Sequence, residues 1–350
     1  MTISLFMLLC SGGCAGYLWW GFRCLPAERW QIAAAVPVAK DAAGHWHGLN
    51  LTWYGILTAN AYVVATALAL ILMGSVGLSL TQIGVLVAVM LLTCVPASRL
   101  VAGLVEGKNN TFTVGGAVFV GTLIAPWLAI GASLLIRKQT GLIVQASAIT
   151  AVFAIAYAFG EGLGRLACLS FGCCYGKPLA TAHPILVRLF SRFSPAFSGA
   201  TKKASYAGDL EGIRVLPVQG LSALVCVFSG LAGLLLFLHG HFQAAFLGVL
   251  TITQIWRVVV EFLREDFRGG GKFSVYQIMG IIGAIYGWVV TPLLSEPFQK
   301  LPDLGTGISM IWGAGPLLLL QGIWFSIFWY TGRSRVTGAV VTFHVNHGEI

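Results

Sequence analysis

Charged residues are scarce in this 350-residue chain, where Asp, Glu, Lys and Arg together make up 9%. A typical soluble domain has about 25%. Hydrophobic residues make up 57%, and several runs of about 20 residues carry no charge at all. Inside a bilayer only helices and closed barrels satisfy every backbone polar group, and uninterrupted apolar runs exclude the alternating strands of a barrel. We therefore predict an all-α polytopic membrane protein.

Several motifs of soluble enzymes are also missing. The chain has no Walker loop, no zinc-protease helix motif and no GxSxG, and it shows no internal repeat. His344 and His347 lie in a polar tail without a third ligand, so we expect no metal and no cofactor. The net charge is +9, but no soluble basic face is evident, which argues against a nucleic-acid partner. Basic residues of this kind are typical of span ends that meet anionic lipid headgroups.

The apolar runs predict nine spans, joined by short loops with one exception. The spans are expected at about 3–20, 53–74, 80–97, 113–136, 142–160, 216–238, 242–262, 274–294 and 308–331. The exception is 161–215, between spans five and six, which we interpret as a small polar head on the membrane surface. No Lys or Arg precedes the first span, so it lacks the basic region of a signal peptide, and we expect a retained helix.

The end of the fifth span carries the most informative stretch, GEGLGRLACLSFGCCYGKP at 160–178. It contains one arginine, Arg165, among glycines that include Gly164, Gly172 and Gly176. Glycine lets a ligand approach the backbone, and the arginine fork grips phosphate through two hydrogen bonds. The stretch therefore indicates an anion site. The alternative is an arginine that only anchors the helix at the interface.

A second charged group, Arg257, Glu261 and Arg264, lies at the end of the seventh span. On a helix these three residues would share one face. Their neighbours are apolar, and charges within a membrane are costly unless they are paired or face a polar cavity. Arg165 and Arg257, on different helices, could clamp one phosphodiester. The alternative is a structural ion pair with arginines that extend to the interface.

Two aromatic or basic positions and a cysteine cluster allow more than one interpretation. Tyr54 is either a site residue or an interfacial belt residue, and Arg99 either binds a ligand or extends to the interface. Cys168, Cys173 and Cys174 could pack, form a disulfide in an oxidising compartment, or supply a redox or nucleophilic thiolate. Without a histidine nearby they make a poor zinc site. The remaining cysteines of the apolar spans, which we interpret as small core residues, are Cys10, Cys14, Cys94 and Cys226.

Over about 50–295, seven of the predicted spans, the chain resembles the prolipoprotein diacylglyceryl transferase family. The matching pieces, in order, are Trp53-Tyr54-Gly55, Ala97-Ser98-Arg99-Leu100, Gly164-Arg165-Leu166 with Gly172 and Gly176, Pro217 with Gln219, the segment from Arg257 to Arg264, Asp266 and Gln277. The resemblance implies a seven-span core at 49–295 that includes the head. It leaves one extra span and linker at 1–48, and one extra span and tail at 296–350.

Members of that family move diacylglycerol from phosphatidylglycerol to a lipobox cysteine thiol at the outer face of the bacterial inner membrane. The resemblance implies that Arg165 and Arg257 hold the lipid phosphate, that Glu261 orients Arg257, and that Tyr54 joins the catalytic set. The substrate-binding residues that it implies are Arg99, Gly115, Gly116, Gly164, Gly172, Gly176, Gln219 and Arg264. The expected partners are phosphatidylglycerol or another anionic phospholipid and a lipobox-containing preprotein.

The chain departs from the family pattern where proton transfer is expected. Val114 stands in place of the histidine of a His-Gly-Gly motif. The other departures are Cys168 and Cys173 at an asparagine and a glutamate, Leu216 at a second histidine, and Leu221 and Ser222 at a tyrosine and an acid. Three functions therefore stay open: a transferase with a changed proton acceptor, a non-catalytic lipid-binding paralogue, or a membrane thiol oxidoreductase.

The basic residues conflict with the orientation that the resemblance implies. All of them except Arg137, Lys138 and Lys300 fall on one set of alternating loops. The positive-inside rule places that set in the cytoplasm, whereas the family has its arginine signature on the outer face. We follow the resemblance, because several of these arginines are predicted to bind ligand.

Overall fold

The computed structural model describes residues 2–106, 114–266, 273–295 and 300–349. Position 113, where the fourth span was predicted to begin, and 296–299, the start of the predicted C-terminal addition, lie outside these residues. The helices are α1 (Ile3–Cys24), α2 (Trp53–Ser75), α3 (Leu80–Glu106), α4 (Val114–Thr140), α5 (Ala146–Phe171), α6 (Pro184–Phe190), α7 (Lys203–Gly208), α8 (Val218–Leu238), α9 (Phe242–Glu261), α10 (Val275–Val290), α11 (Leu304–Ile311) and α12 (Ala314–Thr331).

Eight of the described helices are long and apolar enough to cross a membrane, namely α1 to α5, α8, α9 and α10. Helix α10 reaches the required length together with the short helical turn Thr291–Leu294 that follows it. The predicted polytopic helical membrane protein is confirmed. The last predicted span, 308–331, is broken: α11 and α12 meet at an angle of 67° and count as a ninth span only if taken together. Pro316 lies in the first turn of α12, where its missing N–H costs nothing, so it favours the start of a new helix at this point.

Helix α5 lies at the centre of the bundle, packed against α2, α4, α8 and α9. Small residues allow this close packing. At Gly162 a side chain would collide with Val227 of α8, and at Gly233 of α8 it would collide with Val249 of α9. Close approach through small residues is a common way for membrane helices to associate. The residues of α5 are therefore surrounded by protein over most of its length.

The alternating direction of the spans brings particular helix ends together. The C-terminal ends of α3, α5 and α9 and the N-terminal ends of α2, α4, α8 and α10 fall on the same side as the polar head between α5 and α8. We call this the head side. Every charged or glycine position predicted for the site lies near one of these ends, so the topology alone makes one shared site possible.

The polar head begins at Gly172 and not at position 161 as predicted, because α5 continues to Phe171. Gly160 and Gly164 pack against α2 and Gly162 packs against α8, and Glu161 and Arg165 are four apart, a spacing that favours helix. Gly172 then ends the helix in the left-handed conformation, with φ 72°. Gly164, Arg165 and Cys168 consequently lie on a membrane helix and not in the head.

Lys202 attaches the head to the helices beneath it. Its side chain is fully buried, and its Nζ donates to the carbonyls of Leu25, 2.9 Å away, and Ser170, 2.6 Å away. Burial lowers the pKa of Lys202 from its ordinary value of 10.5 to about 8. Lys202 therefore holds the ends of α1 and α5 together.

A three-stranded antiparallel sheet, which the sequence analysis did not predict, joins the two ends of the chain. Its strands are β1 (Ile32–Lys40), β2 (Trp46–Thr52) and β3 (Arg333–Val341), in the order β1-β2-β3. The Thr52 N–H donates to the Gly332 carbonyl at 2.8 Å. Because β2 leads directly into α2, the sheet lies on the head side. The predicted linker and tail are thus parts of one small sheet.

Candidate functional site

One face of α5 carries a row of polar side chains: Tyr157, Glu161, Arg165 and Cys168. Spacings of four, four and three residues bring them onto the same face. Glu161 and Arg165 form an ion pair in direct hydrogen-bond contact, with side chains only 7% and 16% exposed. Breaking such a buried pair leaves an uncompensated charge, which is strongly unfavourable. This row therefore has to keep its internal pairing or receive a charged ligand.

Arg257 joins this row from α9. Its Nη2 donates to the Tyr157 hydroxyl at 2.8 Å. The Glu161 carboxylate also interacts electrostatically with Arg257 as well as with Arg165. Two guanidinium groups from two helices thus lie around one carboxylate. The predicted convergence of Arg165 and Arg257 is present in the structure, although it is organised by residues that the sequence analysis did not select.

The structure shows no contact between Glu261 and Arg257, the pair that the resemblance implies. Helix α9 ends at Glu261, so Arg264 lies beyond the helix and not on its face. Arg264 makes a two-pronged contact with Asp266, with its Nε 2.8 Å from Oδ1 and its Nη2 2.6 Å from Oδ2. Arg257 is oriented by the Tyr157 hydroxyl, and it interacts electrostatically with Glu161. The helix ends early because the N–H groups of residues 262 and 263 bond back three residues, which closes the last turn.

Both arginines keep an unused donor within the described part of the chain. The Nε atoms of Arg165 and Arg257 are buried and have no hydrogen-bond partner there. Buried polar atoms are nearly always hydrogen-bonded, so such atoms point to a ligand or to water. The two guanidinium charges also exceed the single charge of Glu161 by one. The site is therefore suited to one monovalent anion.

Gly115 lies against Arg257 at the start of α4. A Cβ at this position would collide with the ring of Tyr276 and would come 3.1 Å from Nη1 of Arg257. Only glycine fits between these side chains. Gly116 faces Val101 of α3 instead, where a Cβ would also collide, so it packs α4 closely against α3.

The three predicted cysteines come together where α5 ends. The N–H groups of Gly172 and Cys173 both bond to the Cys168 carbonyl, at 2.8 and 3.1 Å. This cap turns the chain back over the last turn of α5, so that the sulfur atoms of Cys168, Cys173 and Cys174 lie within 4.8 Å of one another. All eight cysteines belong to the described part of the chain, and none forms a disulfide there.

The loop that carries Cys173 and Cys174 is held on both sides. Gln219 at the start of α8 is fully buried, and its Nε2 donates to the Cys173 carbonyl at 2.8 Å. Gly176 pairs with Arg264 as an isolated β-bridge, and the Lys177 N–H donates to the Leu263 carbonyl at 3.0 Å. The predicted residues Gln219, Gly176 and Arg264 therefore position this loop between the ends of α8 and α9.

The remaining predicted residues divide between the site and its surroundings. The Tyr54 ring packs edge-on against Phe171, with ring centroids 5.8 Å apart. Its hydroxyl interacts electrostatically with the three cysteines. Gly164 faces Ala61 of α2. Arg99 is exposed on α3, inside the helix and not at its end, and its Nη2 donates to the Tyr330 hydroxyl of α12 at 3.3 Å.

Sequence reasoning missed three residues of the site: Glu161, Tyr157 and Cys226. Cys226, interpreted as a core residue, is indeed buried. It also interacts electrostatically with Glu161 and with both arginines. A search for acids four residues from Arg165 would have found Glu161. Nothing in the sequence marks Tyr157 or Cys226, because Tyr157 on α5 contacts Arg257 on α9, and Cys226 on α8 interacts with Glu161 on α5.

Comparison with known proteins identifies the family of this chain. The family model for prolipoprotein diacylglyceryl transferase matches residues 42–292. A curated relative, phosphatidylglycerol–prolipoprotein diacylglyceryl transferase 2 of Clostridium perfringens (strain 13 / Type A), is 28% identical over 184 residues, which cover 51% of this chain and 60% of the relative. The family match includes every arginine and cysteine of the site and spans well over half of the sequence. The chain therefore belongs to the prolipoprotein diacylglyceryl transferase family, a family of multi-pass membrane transferases.

Proposed function

We propose that this protein transfers the diacylglyceryl group of phosphatidylglycerol to a cysteine thiol of a lipobox-containing preprotein. The relative from Clostridium perfringens carries phosphatidylglycerol and prolipoprotein in its name, and the site has the chemistry to hold such a lipid. We place the protein in the bacterial inner membrane with the head side outward, as in the family.

The observation that carries the proposal is the pair of buried arginines. Arg165 and Arg257 approach from two helices and share Glu161, and each keeps a buried Nε without a partner among the described residues. Their excess of one positive charge equals the single negative charge of a phosphodiester. Arginine binds phosphate through paired N–H groups better than lysine does. An anionic lipid headgroup therefore fits the site in both charge and hydrogen bonding.

The same pair can assist the bond change. The acceptor sulfur attacks the glyceryl carbon next to the phosphate, a C–S bond forms, and the C–O bond to the phosphate breaks. The departing glycerol phosphate keeps the electron pair of that bond, and the thiol proton passes to a base or to solvent. Negative charge grows on the leaving phosphate oxygen, and fixed guanidinium groups in a water-poor site stabilise it as it develops.

The test is transfer of labelled glycerolipid from phosphatidylglycerol to a lipobox peptide by the purified full chain. Arg165→Ala and Arg257→Ala are compared with the wild type, with Arg165→Lys, and with Arg137→Ala. Arg137 is exposed at the far end of α4, so it serves as a matched control for loss of one arginine. We expect both site variants to lose transfer and Arg137→Ala to keep it. Arg165→Lys should recover only part of it, because lysine keeps the charge and loses the fork.

The second candidate is a lipid-binding paralogue without transfer, and one observation favours it. Val114, at the position where the resemblance implies a histidine, is an aliphatic side chain at the start of α4 and cannot accept a proton. Wild-type protein that binds phosphatidylglycerol through Arg165 and Arg257 and yields no labelled peptide would support this candidate. Transfer by the wild type that survives both arginine substitutions would contradict both proposals.

A further inference from the structure

The three-cysteine cluster has no role in the lipid site described above. Cys168, Cys173 and Cys174 lie at the head-side end of α5, one helical turn from Arg165, and each keeps some accessible surface. The acceptor of the proposed reaction is itself a thiol and has to lose its proton. The positions that the resemblance assigns to a histidine hold Val114 and Leu216, which cannot take that proton.

We propose that Cys168, Cys173 and Cys174 bind a zinc ion whose fourth position receives the acceptor thiol. This inference rests on the proposed function for the identity of the acceptor. Catalytic zinc sites use three protein ligands and leave one position for water or substrate, whereas structural zinc sites use four. The lack of a nearby histidine argues against a zinc site with four protein ligands. It does not argue against a site with three, and three thiols converge here.

The distances between the sulfur atoms suit a zinc ion. With Zn–S bonds of about 2.3 Å, the sulfurs of a tetrahedral site lie about 3.8 Å apart. The three sulfurs here all lie within 4.8 Å of one another. Each would move by about 0.6 Å at most to reach bonding distance, a change that small rotations of the side chains supply.

The backbone beneath the cluster is fixed in place. Gly172 adopts the left-handed conformation that ends α5, and Cys174 adopts it too, with φ 55°. A non-glycine residue in this conformation costs on the order of 1 kcal/mol and persists only where its surroundings hold it. The surroundings include Gln219, which holds the Cys173 carbonyl. The cluster is thus already arranged before any ion binds.

Two guanidinium groups lie beside the cluster. Arg165 interacts electrostatically with Cys168 and Cys174, and Arg264 interacts with Cys174. A metal ion displaces the thiol protons when it binds, because burial and the neighbouring thiols disfavour free thiolates. Three thiolates and one Zn²⁺ leave one net negative charge beside these guanidinium groups. Soft sulfur ligands select zinc over magnesium or calcium, which require oxygen.

The ion would supply what the missing histidine does not. A thiol that binds Zn²⁺ is deprotonated outright, so its proton leaves to solvent before the bond change. The bound sulfur then attacks the glyceryl carbon, and glycerol phosphate departs with the C–O electron pair between Arg165 and Arg257. No side chain has to accept a proton during this step.

The first measurement is the metal content of the full chain, purified in detergent under reducing conditions. We expect about one zinc per chain. After replacement of zinc by Co²⁺, we expect thiolate-to-cobalt charge-transfer absorption and the strong visible bands of tetrahedral cobalt. Cys168→Ser and Cys173→Ser should each lose stoichiometric metal and these bands. The matched control is the double variant Cys10→Ser with Cys14→Ser, a pair of thiols one turn apart on α1, which should keep both.

The second measurement adds a lipobox peptide, or the same peptide with its cysteine changed to serine, to the cobalt form. We expect only the cysteine peptide to strengthen the charge-transfer band, because a fourth sulfur enters the coordination sphere. Wild-type protein that binds neither zinc nor cobalt, or cysteine variants that keep both, would overturn the zinc site. Metal binding with no response to the cysteine peptide would overturn the open fourth position.

These readouts do not depend on transfer. If the metal and the peptide response are present and no labelled peptide forms, the zinc site stands and the proposed transferase function fails. If transfer proceeds at the wild-type rate in Cys173→Ser, the proposed function stands and the role of zinc is refuted.

Discussion

Removal of the Tyr157 hydroxyl tests which residue orients Arg257. The structure assigns that task to Tyr157, whose hydroxyl accepts from Arg257 Nη2 at 2.8 Å. The family resemblance assigns it to Glu261, which lies at the end of α9 and does not contact Arg257 in the structure. The substitutions Tyr157→Phe and Glu261→Gln each change a single polar group with little change of shape, so they form a matched pair.

The size of the expected effect follows from the contact. A hydrogen bond to a charged group contributes about 1.5–3 kcal/mol, and 1.4 kcal/mol corresponds to about tenfold in an equilibrium constant. If the lost bond frees Arg257 to leave its position, phospholipid affinity should fall roughly 10- to 150-fold in Tyr157→Phe. Glu261→Gln should change affinity less than about threefold, since surface substitutions without a specific contact stay within about 0.5 kcal/mol.

The assay is the dissociation constant of a short-chain phosphatidylglycerol for the purified protein, with phosphatidylcholine as the lipid control. Thermal unfolding of each variant in the same detergent shows whether the fold is intact. Normal affinity in Tyr157→Phe together with a large loss in Glu261→Gln would refute the reasoning and restore the assignment implied by the resemblance. A loss of the same size in both variants would show that Tyr157 does not act alone.

Three further predictions concern packing, pH and orientation. Gly115→Ala should weaken phosphatidylglycerol binding at least about fivefold, because overpacking against Tyr276 and Arg257 costs about 1–3 kcal/mol; Gly131→Ala on the same helix, where nothing lies within 4 Å of the new Cβ, should bind normally. The free energy of unfolding should rise between pH 8 and 10.5, because the unfolded chain keeps a proton on Lys202 that the folded chain has lost. Thermal unfolding measured across that pH range should show a smaller rise in Lys202→Met. A reporter fused to the C-terminus should be active outside the cell, since β3 lies on the head side; a reporter active only in the cytoplasm would confirm the positive-inside expectation and reverse the proposed orientation.

Local features of the sequence were enough to predict the membrane helices and the two arginines. Long apolar runs exclude water over the full width of a bilayer, and this property does not depend on which helices become neighbours. Arg165 and Arg257 could be identified because a charge within such a run is costly and demands a reason. The family resemblance rests on ordered short motifs, and the family match at residues 42–292 confirmed it.

The bounds of some elements were beyond these local rules. Residues 160–171 were predicted to lie at the start of the polar head because they contain glycines and charged residues. In the structure, α5 continues through them. The reason is tertiary, since the glycines pack against neighbouring helices and the charges pair within the bundle. The sheet was missed for a similar reason. The pairing between Thr52 and Gly332 spans 280 residues, and no local pattern identifies so remote a partner.

The sequence by itself determined that this protein crosses a membrane many times, that it has two arginines to explain and that it belongs to its family. Only the tertiary structure decided how those charges are satisfied and what the cysteines can do. Tyr157 and Arg257 are 100 residues apart, and their contact depends on the rotation of α5 against α9. The three sulfurs converge because Gly172 turns the chain back at the end of α5. The cost of burying a charged side chain in the membrane follows from the sequence alone. Which residue pairs with that charge depends on how the helices pack.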